Sequence, residues 1–235
     1  TLQTFMQTLN KAEFKTIRAG IVLQAYLPDT YKIAIQLRDW AKERVKQGGS
    51  PVKVRIVKGA NLEMEKTEAS IHGWPLATYS TKVDTDANYK KILLELLQPF
   101  SAESLNVGVA SHNVFDLAFC LNLTLKNNLQ EYVDFEMLEG MAKSTVIEMN
   151  KKGVKLILYT PIVDKENYLN AIAYLVRRLD EGTQDGNFLK EGFNLDVKSD
   201  KWKVLKTQFL ESLKKVNSVQ NESKRTQNRL TDKYQ

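Results

Sequence analysis

Five short aliphatic and aromatic runs recur along the chain: GIVLQAYL (20–27), VKVRIVKGA (52–60), NVGVASHN (106–113), EYVDFEML (131–138) and VKLILYTPIV (154–163). Between them lie stretches with helical spacing. In YKIAIQLRDWAKERVKQGG the apolar Ile33, Ile35, Leu37, Trp40, Ala41 and Val45 trace one face, and the GG pair stops it. KILLELLQP, DLAFCLNLTLKN, LEGMAKSTVIEMNKKG and ENYLNAIAYLVRRLDEG behave similarly. This alternation constrains the fold more than any other feature. Parallel strands can be joined only by a long crossover, so strand followed by helix, repeated, predicts βα units and a parallel sheet.

Within each run one alternate set is aliphatic and the other mixed: Val52, Val54 and Ile56 alternate with Lys53, Arg55 and Val57. An open sheet covered by helices on both faces needs apolar residues on both sides. A closed barrel can instead aim a polar set inward. Gln24, Arg55, His112, Glu136 and Tyr159 all fall late in their runs, where the mouth of a (β/α)8 barrel carries its site. The expected fold is therefore α/β, the C-terminal five βα units of a TIM-like barrel, with about three units upstream by the eight-strand rule. Residues 1–185 form the barrel part. Residues 186–235 read as a helical linker, in which Trp202, Leu205, Phe209, Leu213 and Val216 share a face.

Charge narrows the partners. Residues 198–235 hold 10 Lys/Arg against 4 Asp/Glu, so the formal +6 of the whole chain sits there, and the remaining 24 and 24 cancel. A neutral body argues against a nucleic-acid groove. The basic tail reads as a solvated linker, with contact to a membrane surface or partner as the alternative. The single Cys120 excludes an internal disulfide and fits a reducing compartment, and two histidines are too few for a Cys/His metal site. No apolar run is long enough to span a bilayer, and no secretion signal opens the chain.

Four segments hold residues suited to chemistry. In VRIVKGAN, Arg55 needs an anionic partner, and Gly59 behind Lys58 admits a flat or phosphorylated ligand; a strand ending in a charged turn is equally compatible. ASHN offers His112 and Asn113 as hydrogen-bonding groups, although a lone histidine is more often structural. STKVDTDANY supplies Thr85 or Asp86 as a helix N-cap, and hydroxyls with a lysine at a helix start also suit phosphate. In AYLVRRLDEG, Tyr174, Arg177, Arg178 and Glu181 share a helical face, while Leu169, Ile172, Val176 and Leu179 take another. A solvated face with an Arg178–Glu181 pair is one reading; a guanidinium clamp for a carboxylate is the other.

Together GIVLQAY, VRIVKGA, the STK–T–D segment, ASHN, FEMLEGM, LILYTP and AYLVRRLDE, in that order over about residues 18–185, resemble the proline dehydrogenase family. The likeness is strongest to the flavin-dependent half of bifunctional proline utilization A enzymes. The resemblance implies a distorted barrel binding FAD at its mouth and oxidising L-proline to 1-pyrroline-5-carboxylate, with electrons passed to a quinone, in proline catabolism to glutamate. It implies that Arg177 and Arg178 hold the substrate carboxylate, that Tyr174, Tyr159 and Leu138 line the proline pocket, and that Glu181 orients the arginines beside the flavin. Gln24, Arg55, Val57, Lys58, Gly59 and Ala60 match positions around the isoalloxazine, and Ser80, Lys82, Thr85, His112 and Asn113 match positions around the rest of the cofactor. No metal is implied. A downstream aldehyde dehydrogenase domain and a cytoplasmic location, with peripheral contact at the inner membrane face, complete the expectation.

The chain departs from the better-known members at KGANL, where they read KGAYW; Asn61 in the tyrosine position makes room for ring-substituted prolines such as hydroxyproline. The family's catalytic lysine and aspartate come from early strands that this sequence does not contain. An incomplete non-catalytic fragment, or a barrel enzyme acting on another carboxylate, are the competing readings.

Overall fold

The computed structural model describes residues 1–183, 188–191 and 195–225. Strands β1 (Gly20–Gln24), β2 (Val52–Val57), β3 (Leu105–Ala110), β4 (Val133–Leu138) and β5 (Lys155–Tyr159) form one sheet in the order β1-β2-β3-β4-β5. All four pairings are parallel. The alternation of strand and helix therefore does what it predicts. Helices α1 (Leu2–Leu9), α2 (Thr30–Lys46), α3 (Leu62–His72), α4 (Lys82–Leu96), α5 (Val114–Lys126), α6 (Lys143–Lys151) and α7 (Tyr168–Thr183) punctuate the strands, followed by α8 (Phe188–Glu191) and α9 (Asp200–Lys214).

Helix α3 is the element that periodicity does not reveal. None of its residues is buried, so no apolar stripe marks it. The α2 face is also rotated from the expected one: its fully buried positions are Thr30, Ala34, Leu37, Ala41 and Arg44, with Ile33, Ile35, Trp40 and Val45 only half-covered. The small residues allow close approach to the sheet, and Arg44 takes the place that an aliphatic residue would be expected to fill. Its Nε donates to the Ser50 carbonyl and its terminal nitrogens donate to the carbonyls of Leu9, Phe14, Lys15 and Ile17. One guanidinium thus satisfies the acceptors of a whole connecting segment, which makes its burial tolerable. The helix then stops as expected: Gly48, left-handed at φ 79, donates to Val45 O and Gly49 N donates to Arg44 O.

The sheet has two unlike faces. Val54, Ile56, Val107, Val109, Val133 and Phe135 are almost wholly covered and pack with Leu37, Tyr89, Ile92, Leu93 and Leu97 of the helical layer. The opposite face carries Lys53, Arg55, Asp134 and Glu136, joined by ion pairs that run across β3. They can cross because β3 presents Gly108 there: a Cβ on Gly108 would lie 2.2 Å from Glu136 Oε1 and 3.2 Å from Lys53 Cε. Val22 and Tyr159 on this face are 49% and 37% exposed.

From α9 to residue 225 the tail is packed on the body, in contrast to the solvated linker that its charge suggests. In α9, Leu205 and Ser212 are buried, and Phe115 of α5 meets Trp202 in a tilted contact and Phe209 in a stacked one, at centroid distances of 4.7 and 5.8 Å. Beyond it Val219 is buried with Tyr79 and Ala87, and Tyr79 Oη donates to Gln220 O. Two of the tail's lysines have specific partners on the body, Lys215 at Asp84 and Lys224 at Thr78 O.

Arg44→Met is expected to cost about 3 kcal/mol or more in urea unfolding, because several buried carbonyls lose their donor at once. A loss below about 1 kcal/mol, the level of an ordinary surface substitution, would remove this role from Arg44.

Candidate active site

The carboxyl ends of the strands open onto a cavity of about 600 Å³. That lies within the ~300–1,000 Å³ of pockets that enclose small ligands and cofactors. Strand β1 contributes Gln24; β2 contributes Arg55, Val57 and the Lys58–Gly59–Ala60 turn. The β3 end supplies His112 and Asn113, β4 supplies Glu136 and Leu138, and β5 supplies Tyr159. Helix α4 offers Lys82 and Thr85 from its first turn, and α7 lays Tyr174 and Arg178 across the opening. A parallel sheet places all its strand ends on one edge, so residues far apart in sequence converge there.

Arg55 sits in the floor. Its Nε donates to Glu136 Oε2 at 2.5 Å, and its guanidinium lies 4.5 Å from the centre of the Tyr159 ring. Burial and then the nearby Glu136 charge raise the Tyr159 phenol. Across the cavity Arg178 lies 5.1 Å from the Tyr174 ring centre.

Lys58 is the other cationic centre. Its Nζ is 2.5 Å from Asp86 Oδ1 and 2.6 Å from Asp116 Oδ2, while Lys82 pairs with Asp86 and Lys90 with Asp116. Three lysines against two aspartates leave one net positive charge at this end. Burial pulls the Lys58 ammonium down, but the two carboxylates outweigh it and hold it above the usual lysine range. Lys90 is 1% exposed, and burial wins there, lowering its value.

Gly59 has φ +118, and a Cβ on it would fall 2.5 Å from the Tyr26 ring. The turn after β2 is therefore reserved for glycine on both conformational and steric grounds. His112 staples two strand ends: its Nε2 accepts from the Leu138 backbone N–H at 3.0 Å, which requires the neutral ring with its proton on Nδ1. Burial, aided by Arg178, lowers its value. Asn113 caps α5 through Oδ1, which accepts from Phe115 N at 2.9 Å, leaving its amide NH2 as the available donor.

The sequence expectations fare unevenly in placement. Arg178 lines the cavity, whereas Arg177 is exposed and outside its lining. Ser80 and Asn61 are exposed and outside it too, Asn61 standing at the N-cap position of α3. The Glu181 side chain lies outside the described residues. The cap of α4 is Thr81, whose Oγ1 accepts from Asp84 N, not Thr85 or Asp86. Asp86 lies one turn inside the helix, where its pairing with Lys58 and Lys82 makes it a buried counter-ion. Tyr26, Tyr79 and Met141 also line the cavity without having been singled out. Only Tyr26 had a sequence signal: it continues the Val22–Gln24 alternation by two residues. No group of three or more His, Cys, Asp or Glu among the described residues could hold a metal.

Gly59→Ala is expected to lose ligand binding and to destabilise by about 1–3 kcal/mol in thermal melts, since the ring of Tyr26 must move. His112 gives a pH test. Its folded value is depressed below the ordinary 6.5, so its contribution is complete above that pH and is lost as pH falls toward the folded value. The melting-temperature advantage of wild type over His112→Gln should therefore shrink below about pH 6.5; a constant difference would show that the ring is not held neutral.

A family model described as "Proline dehydrogenase" matches residues 1–191. Proline dehydrogenase 2 of Bacillus subtilis (strain 168) is 28% identical over 193 residues, 82% of this chain and 53% of the relative. The bifunctional protein PutA of Rhizobium meliloti is 27% identical over 175 residues, 72% of this chain and 13% of the relative. Among solved structures, proline utilization A from Corynebacterium freiburgense superposes with a TM-score of 0.83 at 37% identity, over 96% of this chain and 21% of that one. The enzyme from Bdellovibrio bacteriovorus inactivated by N-propargylglycine gives 0.76 at 33%, over 99% and 23%. The chain thus spans about half the length of one curated relative and a smaller share of the bifunctional ones. With the family model covering most of its length, the chain belongs to the proline dehydrogenase family.

Proposed function

We propose that this chain forms the cofactor- and substrate-binding part of a flavin-dependent proline dehydrogenase, most similar to the dehydrogenase half of a bifunctional proline utilization A. The observation that carries the reading is the convergence on one cavity of Arg178 and Tyr174 from α7, Tyr159 from β5 and Arg55 from β2. An anionic, small-ring substrate needs a guanidinium for its carboxylate and a close apolar or aromatic wall for its ring.

The residues present fit FAD. The net positive end formed by Lys58 and Lys82, with the start of α4 beside it, suits the phosphates. The Gly59 turn lets a flat ring approach the backbone, and Asn113 and His112 each keep a donor available for polar groups of the cofactor. When bound, FAD supplies the hydride acceptor for converting L-proline to 1-pyrroline-5-carboxylate. The protein supplies position and charge. Arg178 fixes the carboxylate, and the preceding Arg177 is the second guanidinium of the clamp. Tyr174, Tyr159 and Leu138 exclude water from around the ring, and Arg55 favours negative charge building up on the cofactor side.

The two-faced sheet supports a place for these five units in a (β/α)8 barrel, with the ionic face of Lys53, Arg55 and Glu136 turned to its interior and about three further βα units completing it. Residues 1–185 belong to that barrel, and residues 186–235 lead toward a downstream aldehyde dehydrogenase domain. A quinone takes the electrons, in proline catabolism to glutamate. No helix among the described residues is long and apolar enough to cross a membrane; a cytoplasmic location with peripheral contact at the inner membrane face is the corresponding proposal.

Adding FAD to the full-length protein should give the visible absorbance of a bound flavin, and proline should then support dye reduction. Arg178→Met is expected to lower kcat/KM for proline by about 100-fold or more, the scale of a lost substrate clamp, with Arg177→Met lowering it less. No flavin binding, or unchanged kinetics in both variants, would overturn the assignment.

A further inference from the structure

We propose that Glu136 is a positioning residue of this site: its buried carboxylate holds the Arg55 guanidinium over the Tyr159 ring, tying the cofactor side of the cavity to the substrate side. What the two sides bind rests on the proline dehydrogenase reading; the anchoring itself does not.

The Glu136 side chain is wholly buried, although it stands at the cavity edge of β4. Oε2 accepts from Arg55 Nε, Oε1 lies 2.7 Å from Lys53 Nζ, and the guanidinium that Oε2 holds lies 4.5 Å from the centre of the Tyr159 ring. Lys53 in turn pairs with Asp134 at 2.8 Å. The charged groups facing Glu136 therefore sum with it to zero, two cations against two anions, which is the condition for keeping a buried carboxylate ionised.

This reach from β4 to β2 passes over β3. Arg55 is in register with Gly108, and Gly108 with Asp134. Any side chain at 108 would occupy the place of the Glu136 carboxylate. The bare position in β3 and the acid in β4 thus form one device.

Its consequence is orientational. With the Nε edge of Arg55 committed to Glu136 and its plane over the Tyr159 ring, rotation of the guanidinium is stopped, and its two terminal nitrogens are left for a ligand. A lattice serving only the sheet would need Lys53, Asp134 and Glu136; it would not need to hold Arg55, which lines the cavity.

The test uses Glu136→Gln in the full-length protein, with three readouts. With flavin bound, the reduction potential should rise, because an anion beside Arg55 is gone. Phenolate difference titration of Glu136→Gln against Glu136→Gln/Tyr159→Phe should show Tyr159 ionising at lower pH than the same comparison in wild type. Proline-dependent kcat should fall about tenfold or more. Flavin retained with potential and Tyr159 titration both at wild-type values would overturn the proposal. If the single variant does not fold, Lys53→Met/Glu136→Gln removes one cation with the anion; kcat still depressed with flavin bound supports the anchoring, and wild-type kcat overturns it. Should the wild-type protein bind no flavin, the dehydrogenase reading fails, and the tyrosine titration alone still decides the role of Glu136.

Discussion

The Lys58 ammonium is the point on which the site depends. It stands at the end of β2 and bridges Asp86 of α4 and Asp116 of α5, so that one cation welds a strand end to the starts of two helices. Its counter-ions are each shared with a second lysine, Lys82 at the cavity and Lys90 in the interior. Buried charges of this kind are expensive unless every partner is present, and here the ion pairs close into a chain. Lys90 continues it to Ser212 of α9 at 2.9 Å and stands 4.6 Å from the Phe209 ring centre. The tail helix is therefore bonded, through Lys90, Asp116 and Lys58, to the wall of the cavity.

A second lattice, Lys53–Glu136–Arg55, governs the floor. The two differ in purpose. The first leaves a net positive charge facing the cavity; the second is balanced, and spends its geometry on orienting Arg55 and Tyr159. Both depend on glycine where a side chain would intrude: Gly59 lets the Lys58 turn pass under Tyr26, and Gly108 clears the path to Glu136. Electrostatics and sterics here specify each other.

Much of this was legible beforehand. The strand–helix alternation carries the parallel sheet because a two-residue period cannot be satisfied in a helix, nor a 3.6-residue period in a strand. The late polar residues Gln24, Arg55, His112, Glu136 and Tyr159 do meet at one edge, and the paired-arginine helix does cross the opening through Arg178. Helix α3 was not legible, since a helix with no buried residue has no stripe to betray it. The cap of α4 was misplaced because a run of hydroxyls and carboxylates offers several equivalent caps, and only the packing of Asp86 against Lys58 excludes it from that role. Arg44 escaped notice for a similar reason: a charged residue on a helix reads as exposed until the carbonyls it gathers are in place.

By itself, then, the sequence determined the class of fold, the edge of the sheet onto which the cavity opens and the motif set of the family, because these follow from local periodicity and from short contiguous segments. Tertiary structure alone decided which charges are partners and which are surface. Lys58, Asp86, Asp116 and Lys90 lie up to 58 residues apart in the chain, from Lys58 to Asp116, and a pairing over that distance leaves no periodic trace. The same holds for the tail, where Lys215 and Lys224 looked solvated by composition and found carboxylate and carbonyl partners only when the helix docked. Charge is counted locally, but its free energy is set by the groups brought around it.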